Sequence, residues 1–402
     1  MGSGCGAGDA TLGIRARIGR RLARGLTLAC MAAALVSAMA TGSRSSERVT
    51  VTDLRGRSVS LTVPVERVIL GEGRQITVVA ALDRRRPFAR IVGWRDDLIK
   101  SDPDTYGAYL AIEPTAAGLP IFGGLRDGLF DVEQAISLKP DVVIMNLEAK
   151  SAADEVAAVE RLAGLGIAVV YIDFRQRPFD NTEPSIRLLG KLFGRESEAE
   201  ELIRFRAAEI ARVVDRLAGA GMAATAKPLV MVERIAGLTD ECCPSFGPEN
   251  FGRLVEMAGG RNLGSRFLSG TFGVIHPEAV VAADPDVLIA TGGNWGALAP
   301  GGSWVGLGPG ADLEAARRRL AALARRPAYA HSKAVKDERV HAIWHQFYNN
   351  LYQFAALQQI AHWLHPDLFG ELDADATMKA LHDRFLPVPY RPGYWVSLAP
   401  VR

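Results

Sequence analysis

One sequence unit occurs twice in this chain, at residues 131–146 and again 145 residues later at 276–291. Each copy carries a glutamate near its start, Glu133 or Glu278, followed by apolar residues at helical spacing. A Pro-Asp pair comes seven residues after the glutamate, and then an apolar run that is typical of a buried strand. Because neighbouring parallel strands need a crossover connection, a duplicated helix-to-strand unit predicts two similar α/β lobes. Two lobes imply a cleft between them.

The length and composition agree with this two-lobed organisation. The 402 residues are enough for two domains, and 48% hydrophobic and 23% charged residues are ordinary values for globular proteins. A chain that is disordered as a whole is therefore excluded.

The first 40 residues have the three parts of a cleavable secretory signal peptide. Five arginines between Arg15 and Arg24 precede a fifteen-residue apolar run at 26–40, which ends in small residues. The run is too short to span a bilayer, which argues against a membrane anchor, whereas Cys30 leaves a lipid-attached form open. Loss of this segment removes five arginines and one aspartate, so the mature chain has a net charge of 42 − 44 = −2. A nucleic-acid partner is therefore not expected.

The mature chain divides into three segments. Residues 49–182 alternate short apolar runs with helical patterns, which predicts a first α/β lobe, and residues 222–398 repeat this alternation in a second. Residues 183–221 contain no strand pattern. Within them, residues 197–217 form an amphipathic pattern with Ser197 as the expected N-cap, and a helix of this length extends about 30 Å. Such a helix is long enough to bridge the two lobes.

This organisation resembles the periplasmic substrate-binding proteins of ABC importers for ferric siderophores, haem and cobalamin. The resemblance covers nearly all of the mature chain and rests on the order and spacing of residues 53–59, both duplicated units, residues 188–194 and residues 366–369. It implies an α/β fold with two Rossmann-like lobes, bridged by a single long α-helix, and a ligand cleft between the lobes. It also implies a periplasmic, monomeric protein without a cofactor, which binds a small-molecule iron chelate and works with an ABC transporter permease at the inner membrane.

The resemblance implies a specific role for Glu133 and Glu278. In that family a surface glutamate on each lobe contacts arginines of the permease, and these two residues occupy the matching positions. Two carboxylates on opposite lobes would orient the protein on a basic surface through charge-assisted pairs. The alternative is that each glutamate only occupies the first turn of a helix, where the helix dipole favours a negative charge. The duplication at equal spacing favours the docking role.

Candidate ligand contacts follow from the position of the apolar runs. In open α/β sheets, ligands bind beyond the carboxyl ends of the strands, so residues after each run and on adjoining loops are the candidates. They are mostly arginines and aromatic residues: Arg74, Trp94, Tyr106, Arg126, Arg234, Trp295, Trp304, His345 and Tyr348. Guanidinium groups pair with carboxylate or catecholate oxygens and aromatic rings cover flat surfaces, which favours an anionic ferric siderophore. Arg74 and Arg234, each after a strand of its own lobe, are the expected anion anchors.

Other functions have weaker support in the sequence. Haem or cobalamin is the alternative cargo, with His345 or Tyr348 as axial ligand, whereas His341 and His345 lack the further ligands of a metal site. No phosphate-binding loop, dinucleotide fingerprint or nucleophile elbow occurs in the sequence, so an enzyme is not expected. A metal-cluster enzyme would need several cysteines. The mature chain has only the adjacent pair Cys242 and Cys243, either as a disulfide or as two thiols.

Overall fold

The computed structural model describes residues 1–2, 46–124, 130–155, 157–221, 227–239 and 242–399. The predicted signal peptide, apart from its first two residues, and the candidate Arg126 lie outside these ranges. The fold below is that of the compact unit Glu47–Arg402. Within the described ranges, no helix combines the length and the apolar character that a membrane span requires.

The first lobe consists of a hairpin and a parallel sheet. Its strands are β1 (Glu47–Thr52), β2 (Ser58–Val63), β3 (Val68–Leu70), β4 (Ile91–Arg95), β5 (Ile121–Phe122), β6 (Val142–Asn146) and β7 (Ala168–Ile172). Its helices are α1 (Ile76–Leu82), α2 (Asp97–Ser101), α3 (Pro103–Ile112), α4 (Val132–Ser137), α5 (Lys150–Glu155) and α6 (Ala158–Ala163). Strands β1 and β2 pair antiparallel, and the sheet has the order β5-β4-β3-β6-β7. Every residue of β6 is buried, as expected for a parallel strand covered on both faces.

Two consecutive helices, α7 (Pro178–Phe193) and α8 (Glu196–Ala220), follow the first sheet. The predicted boundary between residues 182 and 183 lies inside α7. Helix α8 has 25 residues, which corresponds to a length of about 37 Å. The expected N-cap Ser197 is wrong, because the helix begins one residue earlier and Arg195 occupies the N-cap position without a side-chain cap. Glu196 instead gives the first turn a negative charge, which the helix dipole favours.

The second lobe contains a mixed sheet of seven strands. They are β8 (Leu229–Glu233), β9 (Pro244–Phe246), β10 (Arg261–Asn262), β11 (Phe272–Val274), β12 (Val287–Gly292), β13 (Val340–Trp344) and β14 (Trp395–Ser397). The order is β11-β9-β8-β12-β13-β14, with β10 beside β8. The helices are α9 (Phe251–Met257), α10 (Pro277–Ala283), α11 (Leu313–Ala324), α12 (Lys333–Lys336), α13 (Gln353–Leu364), α14 (Pro366–Phe369) and α15 (Ala374–Phe385). Strands β8, β12 and β13 are parallel, and they end at the side that faces the first lobe.

Helix α8 packs against both lobes. It contacts α1 of the first lobe and α13 of the second. At α13, Phe205 meets Phe354 edge to face with ring centroids 5.6 Å apart. Gln358 Nε2 donates to Glu209 Oε2 at 2.7 Å in the same contact. The predicted fold class, two α/β lobes bridged by one long helix, is confirmed.

The aspartate of the Pro-Asp pair accepts backbone hydrogen bonds at the start of a neighbouring strand in both lobes. Asp141 Oδ2 accepts backbone hydrogen bonds from Glu66 at 2.7 Å and from Arg67 at 2.9 Å, directly before β3. In the second copy, Asp286 Oδ2 accepts the backbone amide of Leu229, the first residue of β8, at 2.8 Å. Each aspartate therefore fixes the start of the strand that pairs with its own strand.

Candidate ligand-binding site

A pocket of about 320 Å³ lies between the two lobes. It is formed where β3, β4 and β6 end, which is the edge at which open α/β sheets bind ligands. Tyr348, which follows β13, closes it from the second lobe. Its charged lining consists of three cations and three anions: Arg74, Arg95, Arg175, Glu72, Asp97 and Glu148. We call this cavity the arginine pocket.

Arg74 contacts both lobes from the wall of the arginine pocket. It lies in the 3-10 helix Gly73–Gln75 directly after β3, and its Nε donates to Asp97 Oδ2 at 2.6 Å. Its Nη1 donates to Gln346 Oε1 at 2.8 Å and to the Tyr348 hydroxyl oxygen at 2.7 Å. Burial alone would lower the pKa of Arg74, but Tyr348 and Asp97 outweigh burial and raise that pKa. The guanidinium is therefore charged and held by partners from both lobes.

A second polar cluster from both lobes lies beside Arg74. Asn349 Nδ2 donates to Glu72 Oε2 at 2.7 Å, and Asn146 Nδ2 donates to the same oxygen at 3.1 Å. Burial opposes ionisation of Glu72, yet Arg74 and Arg175 lower its pKa below the ordinary value. Asn146 Oδ1 is buried and accepts no hydrogen bond from the described residues. Asn146 is also one of the residues that line the arginine pocket.

The remaining arginines occupy the pocket wall and its surroundings. Arg175 pairs with Glu148, and its guanidinium carbon lies 4.9 Å from the centre of the Tyr348 ring. Arg234 follows β8 and lies with its guanidinium carbon 4.4 Å from the centre of the Phe272 ring, outside the pocket lining. Burial lowers the pKa of Arg234. Of the two expected anion anchors, Arg74 therefore lines the pocket and Arg234 does not.

Three of the candidate residues pack in the interior and do not line the arginine pocket. Trp94 is 1% exposed and packs edge to face against Phe88 in the core of the first lobe, with centroids 5.6 Å apart. Trp295 is 2% exposed, because its indole folds back over Gly293. His345 packs 5.6 Å from the Trp295 ring, and burial lowers its pKa well below the ordinary value. Trp94 and Trp295 therefore pack in the interior and present no face to the cleft, and His345 is a neutral interior imidazole.

Two further candidates are partly exposed. Tyr106 is half-buried against Trp94, with ring centroids 5.9 Å apart. Trp304 is partly exposed and lines a second cavity of about 450 Å³, which also has Asp104 of the first lobe and Asn294 of the second in its wall. Asn294 Nδ2 donates to both Asp104 carboxylate oxygens, at 3.1 and 3.2 Å. We call this cavity the tryptophan pocket.

A larger groove, of about 680 Å³, lies on the second lobe alone. It is lined by residues such as Arg317, His362 and Trp395, and none of its lining residues belongs to the first lobe. Its size exceeds that of the arginine pocket, but it does not lie at the strand ends that form the cleft. We therefore place the candidate site in the cleft.

The polar residues that surround Arg74 are not among the ligand contacts predicted from the sequence. Asn146 is the last residue of β6, and Asp97 begins α2 just after β4. Their positions at or just after the ends of strands indicate a place in the cleft. They were not predicted, because the expected ligand contacts were arginines and aromatic residues. Glu72 and Asn349 gave no local signal, because their contact joins segments that are 277 residues apart.

A family model described as periplasmic binding protein matches residues 107–345. The chain belongs to this family. Among solved structures, the TroA-like periplasmic binding protein FepB of Veillonella parvula is 28% identical, with a TM-score of 0.78 over 87% of this chain and 100% of that chain. The molybdate periplasmic binding protein MolA of Haemophilus influenzae, bound to molybdate, is 18% identical, with a TM-score of 0.65 over 86% and 99%. A periplasmic haem-binding protein of Pseudomonas aeruginosa is 20% identical, with a TM-score of 0.52 over 75% and 93%.

A comparison with curated proteins gives no significant match. The MolA and haem-protein likenesses support the fold alone, whereas the family match covers more than half of the chain. The family and its structural relatives are solute-binding proteins, so this periplasmic binding protein is not an enzyme. Proteins of this class work with ABC transporter permeases and carry their solute as cargo, without a cofactor.

Glu133 and Glu278 of this periplasmic binding protein lie in the first turns of α4 and α10. Their side chains are 74% and 92% exposed, Glu133 beside Arg161 and Glu278 beside His276. Each helix leads into a strand of a parallel sheet and runs antiparallel to it, so its first turn lies level with the carboxyl end of that strand. The two carboxylates therefore lie on the cleft side, one on each lobe.

The adjacent cysteines of the periplasmic binding protein form a disulfide. Cys242 and Cys243 are bonded to each other, and the Tyr329 hydroxyl lies 3.4 Å from Cys242 Sγ.

In the part of the chain that the structure describes, no group of three histidine, cysteine, aspartate or glutamate residues is arranged to hold a metal ion. The cleft therefore offers arginine, amide and phenol groups to a solute.

Proposed function

We propose that this periplasmic binding protein captures a ferric siderophore between its lobes and delivers it to the permease of an ABC importer. The observation that carries the proposal is the arginine pocket, where Arg74, Arg95 and Arg175 meet Tyr348 at the carboxyl ends of the strands. Guanidinium groups bind catecholate and carboxylate oxygens in bidentate fashion, and those oxygens surround the iron of an anionic chelate.

Binding requires a change of partners in the pocket. Three carboxylates, Glu72, Asp97 and Glu148, balance the three arginines, so an anionic chelate competes with them for the guanidinium groups. The volume of about 320 Å³ is at the lower end for a ligand site. A siderophore complex therefore has to separate the two sides of the cleft, which breaks the hydrogen bonds from Arg74 to the second lobe.

The opening is proposed to be small. A single long helix packs on both lobes and resists wide hinge bending. Small-angle scattering or crystal structures with and without the chelate would measure the angle between the lobes. A change of tens of degrees in the angle between the lobes would contradict a rigid connection.

Delivery is proposed to use Glu133 and Glu278. Both are exposed on the cleft side, and they lie on different lobes. A permease with two basic patches would receive both carboxylates while the cleft faces its pore. The proposed location is the periplasm, with a monomeric protein released by cleavage of residues 1–40.

Haem or cobalamin is the second candidate solute, and one observation favours it. The Tyr348 hydroxyl lies in the arginine pocket, where it could serve as an axial ligand, whereas His345 is buried beneath it. A Soret or cobalamin absorption band on the loaded protein would identify this class.

Quenching of tryptophan fluorescence tests the assignment. The purified protein is titrated with ferric tris-catecholates, ferric hydroxamates, ferric citrate, haem, cobalamin and molybdate. Saturable quenching by a ferric chelate is the expected result. If only molybdate or only haem gives saturable quenching, that compound is the solute in place of a siderophore. No response to any of the compounds would overturn the assignment.

A further inference from the structure

The tryptophan pocket has a chemistry that differs from that of the arginine pocket. Its wall contains Gly301, Gly302, Gly306, Leu307, Ala315 and Ala316 beside the indole of Trp304. Its two aspartates are already engaged, Asp104 with Asn294 and Asp312 as the N-cap of α11. The pocket therefore offers mainly apolar surface and one aromatic ring, with the exposed Arg319 of α11 as the remaining charged residue of its wall.

The indole of Trp304 is kept accessible by its glycine neighbours. Trp304 Nε1 donates to the Ala299 carbonyl oxygen at 3.1 Å, so its polar atom is satisfied and the ring faces remain for contact. A Cβ atom on Gly302 would lie 2.8 Å from the ring, and one on Gly306 would lie 3.3 Å from it. Side chains at these two positions would crowd or cover the ring. A half-exposed indole between glycines in an apolar pocket is suited to a flat, uncharged group.

The two pockets are neighbours along the same cleft. Ser101 lines the arginine pocket and Asp104 lines the tryptophan pocket. Because three residues span at most about 11 Å, the two walls are close enough for one chelate to reach both. Gln346 of the second lobe lies at this junction, where its Nε2 donates to the Ser101 carbonyl oxygen at 2.7 Å and its Oε1 accepts from Arg74 at 2.8 Å. Opening of the cleft breaks these bonds.

We propose that the tryptophan pocket is a second subsite of the solute site, which binds a flat, uncharged ring of a chelate whose anionic part occupies the arginine pocket. This inference rests on the proposed function and narrows it to a class of solute. The preferred ligand is an anionic iron chelate with an aromatic arm. Ferric citrate, which has no ring, fills the arginine pocket alone.

The test compares two probes by calorimetric titration. One probe is the ferric complex of a citrate-type chelator that carries a phenyl group apart from its iron-binding oxygens, and the other is ferric citrate. Trp304→Ala is expected to weaken binding of the phenyl-bearing complex about tenfold and to leave the affinity for ferric citrate within about twofold. Gly306→Val, which covers the ring without removing it, is expected to give the same pattern. Thermal melting verifies that both variants are folded.

Trp395→Ala is the matched control, because that indole is also half-buried but lines the groove of the second lobe. It is expected to change neither affinity. The subsite is overturned if the Trp304 and Gly306 variants lose the same affinity for both probes, or lose none. The proposed function stands in either case, provided that both probes bind the wild type. If the wild type binds neither probe, the subsite fails, and the proposed function is then decided by the other ferric chelates of the fluorescence panel.

Discussion

Arg74 of the first lobe donates a 2.7 Å hydrogen bond from Nη1 to the hydroxyl oxygen of Tyr348 in the second lobe. The same guanidinium donates from Nε to Asp97, so one side chain joins the wall of the arginine pocket to the opposite lobe. A solute that took the place of the Tyr348 hydroxyl at this guanidinium would also release this contact between the lobes. The proposed capture of a solute would therefore be coupled to opening of the cleft at Arg74.

Arg74→Lys is expected to weaken binding of a ferric tris-catecholate at least tenfold. Lysine keeps the positive charge beside Asp97, so the fold retains its buried pair, but it lacks the planar fork that binds two oxygens at once. Calorimetric titration and thermal melting measure the two effects. Arg187→Lys, at an exposed arginine of α7 that pairs with Glu183 and Glu200, is the control. If Arg74→Lys and the wild type bind the chelate with equal affinity, Arg74 is not a ligand-binding residue.

Glu133→Gln combined with Glu278→Gln is expected to abolish transport and leave solute affinity unchanged. Both substitutions remove an exposed charge on the cleft side without changing the side-chain shape. Uptake of labelled ferric chelate into cells and titration of the purified protein measure the two outcomes.

The matched control for this pair is Glu66→Gln combined with Glu338→Gln. These exposed glutamates precede β3 and β13, one on each lobe, at the opposite ends of the sheets. Normal uptake is expected for the control pair. A loss of solute affinity in the Glu133 and Glu278 variant would assign these residues to the cleft instead of to docking.

Asp102→Asn is expected to stabilise the protein more at pH 8 than at pH 5. Burial raises the pKa of Asp102 to about 7, whereas an unfolded aspartate has a pKa of about 3.9. Between these values the folded chain keeps a proton that the unfolded chain has released, so stability falls as the pH rises through this window. Asparagine keeps the N-cap acceptor of α3 and does not titrate.

Melting curves at several pH values measure the difference in melting temperature between Asp102→Asn and the wild type. The same substitution at Asp131, an exposed N-cap of α4, is the control for replacing a capping carboxylate by an amide. A difference at Asp102 that is the same at pH 5 and pH 8 would show that this carboxyl does not titrate in the window.

Asp141→Ala is expected to lower the free energy of unfolding by about 1–3 kcal/mol, because the backbone amides of Glu66 and Arg67 lose their acceptor. Asp286→Ala is expected to have a similar effect through Leu229. Urea denaturation measures both. The asparagine variants keep one acceptor oxygen and should lose less. Equal losses for alanine and asparagine would mean that the negative charge, and not the hydrogen bond, fixes these strands.

The order of the helices and strands follows from local patterns in the sequence. Apolar runs such as Val142–Asn146 and Val287–Gly292 are strands in the structure, and the duplicated unit places Glu133 and Glu278 in equivalent helix turns. These features depend on residues close together in the chain, so periodicity and turn chemistry are enough to predict them. The N-cap at Ser197 was wrong, since helix ends depend on small local energies.

Which side chains meet in the cleft depends on how the two lobes pack together. Trp94 lies near the end of β4, and Trp295 and Arg74 follow strands, but packing buries both indoles and leaves Arg74 in the pocket wall. Glu72 and Asn349 meet because two lobes bring distant segments together. Burial and long-range hydrogen bonds depend on what packs against each strand end, which local sequence does not encode. The two-lobed cleft was therefore predictable from the sequence, whereas its chemistry was not.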